Sequence, residues 1–202
     1  MRGGTLVDVG AAAGELGAHL RDDFTKLIGI EGDPARVPDL AAHFDSALIA
    51  DLNQLHRLPR ADAFVLADIL EHLPYPGPLL ETVGHALVEQ GRAYISVPNV
   101  ANITVRLALL AGRWNYAEKG ILDRSHLRFF TRRTIVEELQ SHGFTIDRVE
   151  ATTMPIRLVL EGSVPDALLR FLERILLTAT RLFPTVLGYQ WVVTARRERA
   201  RS

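Results

Sequence analysis

Apolar and polar positions along this chain alternate between two periods. Short apolar runs recur at Thr5-Leu6-Val7-Asp8-Val9, Lys26-Leu27-Ile28-Gly29-Ile30, Ser46-Ala47-Leu48-Ile49-Ala50, Ala61 to Ala67 and Ala93-Tyr94-Ile95-Ser96-Val97. Most are separated by segments of helical spacing, and each ends at an acid or a turn residue, as buried strands do. Helices are predicted over Glu15 to Arg21, after Asp33-Pro34, over Pro76 to Glu89, over Val100 to Leu110 and over Arg132 to Ser141. Thr131 caps the last of these, and His142-Gly143 ends it. A sixth strand is expected over Phe144 to Glu150 and a seventh over Gly188 to Arg196, where Tyr189, Trp191 and Val193 alternate with Gln190, Val192 and Thr194. Strands alternating with helices imply an α/β fold with a parallel sheet and right-handed crossovers.

The strand ends carry the chemistry. Asp8, Glu31, Asp51 and Asp68 close four successive strands. In an open α/β sheet the carboxyl ends of the strands form the ligand crevice, so these acids are expected to converge. The first strand opens through Gly10-Ala11-Ala12-Ala13-Gly14 into a helix. Such a loop lets backbone N–H groups approach a ligand, either the pyrophosphate of a dinucleotide or S-adenosylmethionine. Asp8 decides between them, because a carboxylate two residues before the first glycine suits an ammonium group and repels a pyrophosphate. Glu31 is positioned to grip a ribose diol, whereas Asp33 fits a helix cap. Asp51 is positioned to accept from an adenine amino group while Leu52 packs on the ring face. The cofactor set is therefore Asp8, Gly10, Ala12, Gly14, Glu31, Gly32, Asp51, Leu52, Asp68 and Ile69.

Three further stretches sharpen this reading: Ala67-Asp68-Ile69-Leu70-Glu71-His72-Leu73, Ser96-Val97-Pro98-Asn99-Val100-Ala101-Asn102 and Asp123-Arg124-Ser125-His126-Leu127-Arg128-Phe129-Phe130-Thr131. With Asp8, Gly10 and Gly14 they resemble bacterial class I S-adenosylmethionine-dependent methyltransferases of the small-domain type, over about residues 4 to 150. Ala12 departs from the glycine usual in that family's loop. The resemblance implies a Rossmann-like, mostly parallel seven-stranded sheet with helices on both faces and an antiparallel last strand. It implies S-adenosyl-L-methionine as cofactor and leaves the acceptor open.

Composition narrows the setting. The 202 residues are expected to form one domain, with a covering loop at about 99–130 and a helical insertion at about 152–187. Lys and Arg number 23 against 24 Asp and Glu, so no overall field attracts nucleic acid. There is no cysteine, which excludes disulfides, a thiol nucleophile and Cys-ligated zinc; no metal site is expected, and the cytoplasm is the expected location. No signal peptide and no membrane-spanning apolar run is seen. The first strand begins about five residues in, so the expectation is that either a pocket wall is missing or the chain is a fragment or a module of something larger.

The loop from Ala111 to Phe130 is long and rich in polar and aromatic groups, which marks it as functional. His126 within it and His72 after the fourth strand are the candidate general bases for a hydroxyl acceptor. Asn99, Tyr116, Arg124 and Arg128 are the candidate acceptor contacts, the arginines suiting an anionic group. The expected acceptor is a small molecule or glycan. Two other classes stay open: a non-catalytic cofactor-binding or scaffolding module, and a nicotinamide-dependent oxidoreductase. Finally, Leu168, Phe171, Leu172, Ile175, Leu176, Ala179, Leu182 and Phe183 fall on one face of a helix over Pro165 to Phe183. That face is expected to pack on the domain beside the acceptor pocket, to pair subunits, or to touch a membrane surface.

Overall fold

A computed structural model describes residues 3–157 and 164–198. Its five leading strands are β1 (Thr5–Val9), β2 (Lys26–Glu31), β3 (Ser46–Ile49), β4 (Ala61–Ala67) and β5 (Leu87–Pro98). They pair in parallel in the order β3-β2-β1-β4-β5, and β7 (Gln190–Arg197) lies antiparallel between β5 and β6 (Phe144–Ala151). The order reverses between β1 and β4, the switch point at which such sheets bind ligands. The expected fold class, including the antiparallel last strand, is the one observed.

Each face of the sheet is covered by helices whose apolar spacing matches it. Leu40 from α2 (Val37–His43), with Phe44 just beyond it, packs on Leu6, Leu27, Ala63 and Val65 on one face, where α1 (Glu15–Leu20) also lies. On the other, Leu79 and Val83 of α3 (Gly77–Ala86) and Ile135 and Leu139 of α5 (Arg132–Ser141) meet Phe64, Ile95, Trp191 and Val193. These side chains are essentially withdrawn from water, and burial of this kind is the main favourable term of folding.

Three boundaries differ by three or more residues from the sequence reading, one of them the start of β5, at Leu87 rather than Ala93. Helix α3 stops at Ala86 rather than Glu89, because Leu87 takes extended geometry (φ −60°, ψ 133°) and pairs with Ala61 of β4. The helix expected from Val100 starts at Ile103 as α4 (Ile103–Leu110). Asn102 sets that start: its Oδ1 accepts from Thr104 N at 3.0 Å and from Thr104 Oγ1 at 2.8 Å. Its Nδ2 donates to the Gly188 carbonyl at 2.8 Å, tying α4 to the entry of β7.

The C-terminal insertion forms α6 (Asp166–Leu182) and a short α7 (Pro184–Leu187). Its expected capping serine, Ser163, lies outside the described residues, and Pro165 occupies the cap position without a side-chain bond. Leu169 is buried, whereas Phe171, Ile175 and Leu182 are 60%, 51% and 69% exposed, so the apolar face is only partly used for packing. Among the described residues, no helix is long and apolar enough to cross a membrane.

Replacing Asn102 with alanine removes a cap and one of the two donors to the buried Gly188 carbonyl, which Asn99 still holds. The expected loss is about 1–3 kcal/mol in denaturant unfolding, and a loss below that range would show that α4 is held otherwise.

Candidate functional site

The carboxyl ends of β1 to β4 come together as the acids predicted. Gly10 adopts φ +77°, and a Cβ placed there would lie 2.0 Å from Ile69 Cδ1 and 4.0 Å from Leu52 Cδ1, so only glycine fits. Residues 10, 52 and 69 thus meet at one point. Ala12 is also left-handed, at φ +45°, a conformation that strains alanine and that the family's usual glycine relieves. Gly14, at φ +79°, forms the turn into α1.

Asp8 is 3% exposed. Burial, with a contribution from the Glu31 charge, pushes its carboxyl up to about 6. A ligand ammonium beside it reverses that penalty. Glu31 closes the loop in this structure: Oε2 accepts from Ala12 N at 2.9 Å, and Oε1 accepts from Gly32 N at 2.7 Å and from Asp33 N at 3.0 Å. Of about four acceptor positions on a carboxylate, three are engaged, so a two-point ribose grip requires one backbone bond to open. Asp33 caps the following turn through Ala35 N, as expected. Asp51 accepts from Asn53 N, Asn53 Nδ2 and Gln54 Nε2, bonds that hold its carboxyl below the usual range.

Asp68 has the left-handed backbone φ of +54°. Its Oδ1 accepts from Ser96 Oγ at 2.9 Å and its Oδ2 from Gln190 Nε2 at 2.7 Å, linking β4 to β5 and β7. The turn it starts, Leu70–His72, delivers Glu71 and His72 beneath the covering loop. That loop is docked there by backbone: Leu127 N and Arg128 N donate to the Glu71 carbonyl at 2.7 and 3.0 Å. The rings of His72 and His126 are then 4.9 Å apart, edge to face. His126 is 8% exposed, and its Nδ1 donates to the Ile121 carbonyl at 3.1 Å, which leaves Nε2 with a free lone pair. Burial holds the His126 imidazole below its ordinary value. Glu71, which the sequence reading did not single out, is 1% exposed, and neither of its carboxylate oxygens has a hydrogen-bond partner among the described residues. Burial, reinforced by Asp68, pushes its carboxyl up to about 8.

The acceptor contacts expected from sequence divide. Tyr116 is 48% exposed and meets Trp114 and Phe129 in an aromatic group that reaches His126 through Phe129. Arg124 is exposed on the same loop. Arg128 donates from Nε and Nη2 to the Pro74 carbonyl at 2.9 and 2.6 Å, so it anchors the loop. Asn99 is corrected: it is fully buried, donates from Nδ2 to the Thr185 and Gly188 carbonyls and accepts at Oδ1 from Ala101 N. It braces the junction instead of facing an acceptor. An open concavity of about 810 Å³ lined by Arg60, His85 and His142 lies at the opposite, amino end of the central strands, away from all of these groups.

Residues 1–149 match the family described as a methyltransferase domain. The chain belongs to that family. No curated protein matched. Solved structures agree on the fold. An S-adenosylmethionine-dependent methyltransferase from Mesorhizobium loti is 19% identical, with 97% of this chain and 92% of that one covered and a TM-score of 0.64. The magnesium protoporphyrin IX methyltransferase of Synechocystis, solved with bound S-adenosylhomocysteine, is 14% identical at a TM-score of 0.64, covering 98% and 75%. The 1,6-didemethyltoxoflavin-N1-methyltransferase of Burkholderia thailandensis is 18% identical at 0.62, covering 98% and 72%. The methyltransferase uses S-adenosylmethionine as its cofactor. The bare Gly10 loop, buried Asp8 and strand-end Glu31 fit that cofactor's methionine and ribose ends. Family membership sets aside the nicotinamide-dependent alternative.

Asp8 yields a pH test. Its value in the fold lies above the unfolded value of about 4, so the neutral acid is favoured by folding. The associated stability is complete below about pH 4 and is lost as the pH rises through about 6, by up to roughly 3 kcal/mol. Asp8→Asn is expected to melt higher than the wild type at pH 7.5, to match it near pH 4, and to bind S-adenosylmethionine more weakly. Equal melting temperatures at pH 7.5 would show that the Asp8 charge is compensated.

Proposed function

We propose that the protein transfers a methyl group to a hydroxyl of a small molecule or glycan, bound between the carboxyl edge of the sheet and the 111–130 loop. One observation carries this reading: the loop places His126 against His72 and Glu71 directly beyond Asp68 and Ile69 of the cofactor crevice. Bound S-adenosylmethionine supplies a methyl group already activated on a sulfonium. The chain's residues hold the acceptor in line with it, and proximity of this kind is worth about 7–11 kcal/mol of barrier. The acceptor oxygen forms the new C–O bond as the C–S bond breaks with its electron pair left on sulfur. The hydroxyl proton is lost at the Glu71, His72 and His126 cluster. Tyr116, Trp114 and Phe129 offer the acceptor an apolar wall, and the exposed Arg124 suits an anionic substituent. The scaffolding alternative differs in one respect only, binding the cofactor without turnover.

The exposed stripe of α6 supports self-association through residues 165–183 as part of the same reading. Phe171→Ser combined with Ile175→Ser is expected to elute as a monomer with an unchanged melting temperature. If only co-sedimentation with vesicles changes, the stripe meets lipid instead.

For the site itself, His126→Ala is expected to lower turnover roughly 10²–10⁴-fold, the usual scale for losing proton-transfer assistance. Its affinity for S-adenosylmethionine by calorimetry should be nearly unchanged. A tenfold loss of cofactor affinity with turnover intact would place His126 on the cofactor side and overturn the assignment.

A further inference from the structure

The cluster that handles the acceptor proton has a feature that proton transfer alone does not explain. Both oxygens of Glu71 are buried and have no hydrogen-bond partner among the described residues. An orphaned buried carboxyl is costly, and natural structures retain one where something absent from the protein atoms completes it. Facing it are two imidazoles, and one donor atom from each of Glu71, His72 and His126 lies within 4.8 Å of the others. His126 is prepared as a ligand: the Ile121 carbonyl holds the proton on Nδ1 and leaves Nε2 open, the outer-shell arrangement that orients metal-bound histidines. Asp68 and Asp123 both act on His126 through their charges and add negative potential. Both Asp68 oxygens are held, by Ser96 and Gln190, and Asp123 Oδ1 is held by Ser125; neither acid belongs to the converging group of donor atoms.

We propose that Glu71, His72 and His126 form a three-ligand site for a divalent transition-metal ion whose open position takes the acceptor oxygen. This rests on the methyltransferase reading and names how the same cluster ionises the hydroxyl. Two nitrogens and one carboxylate oxygen suit zinc, cobalt, iron or nickel better than magnesium or calcium. Three protein ligands leave a position open, as in catalytic zinc sites. An acceptor oxygen bound there loses its proton to water at the solvent-exposed His72 edge, and it then attacks the methyl carbon as the C–S bond breaks toward sulfur. The acceptor class that follows is an alcohol or phenol, with a neighbouring oxygen able to chelate the ion.

The test uses the full chain stripped of metal. Zinc is titrated in competition with a chromogenic chelator, and cobalt is followed by its visible ligand-field absorption. The expected result is one ion per chain, with magnesium binding more weakly than zinc. Glu71→Gln, which preserves shape, His72→Ala and His126→Ala should each weaken zinc by more than about a hundredfold, beyond the cost of disturbing an outer-shell group. Circular dichroism and S-adenosylmethionine affinity should match the wild type. Absence of stoichiometric zinc binding, or retention of it in these variants, overturns the metal site while leaving the methyltransferase reading intact. Failure of the wild type to bind S-adenosylmethionine overturns that reading instead, whatever the zinc titration gives.

Discussion

The carboxylate of Asp68 is the tie on which the site depends. It accepts from Ser96 of β5 and from Gln190 of β7, so one side chain holds the ends of three strands together. Its left-handed backbone also turns the chain sharply out of β4. Strain of that kind persists only where surrounding bonds over-determine it, and here two charge-assisted bonds do so. The result is a short turn that carries Glu71 and His72 away from the sheet while Ile69 stays on Gly10. The cofactor crevice and the Glu71, His72 and His126 group are thereby set side by side by five consecutive residues, Asp68 to His72.

The covering loop is held by the same turn. The Glu71 carbonyl takes two N–H groups from Leu127 and Arg128, and the Arg128 guanidinium closes on the Pro74 carbonyl. These bonds fix His126 over His72 without a helix or strand in the loop. A second junction, in which Asn99 and Asn102 share the Gly188 carbonyl, joins α4 and α7 to β7 at the same end of the sheet. Polar side chains buried at strand ends thus replace the apolar packing that holds the rest of the molecule.

Asp8 and Glu71 show the opposite balance. Both are acids withdrawn from water, and both are pushed toward the neutral form by that withdrawal. A fold optimised for stability alone has no use for either position. Their retention at a ligand crevice is the pattern expected where a bound cation, an ammonium group beside Asp8 or a metal ion beside Glu71, restores the charge.

Much of this was legible in the order of residues, because its causes are local. Alternating strand and helix periods, the glycine loop after β1 and the acids closing β1 to β4 specify a parallel sheet and place its ligands at the carboxyl edge. Thr131 announced α5 through its own hydroxyl, and Asp33 announced the turn it caps. What the sequence left open was set by contacts between distant segments. The end of α3 follows from pairing of Leu87 with Ala61, 26 positions away, which outweighs helical spacing through Glu89. Asn99 looked like an acceptor contact in a strand-end motif, yet the Thr185 and Gly188 carbonyls, contributed from beyond residue 180, claim its amide. The face of α6 had one periodicity but two fates, since only packing against the domain decides which half of an apolar stripe is covered. The grouping of Glu71, His72 and His126 has no sequence spacing to reveal it: the pair and the third member are joined only when the loop backbone docks on the turn after β4.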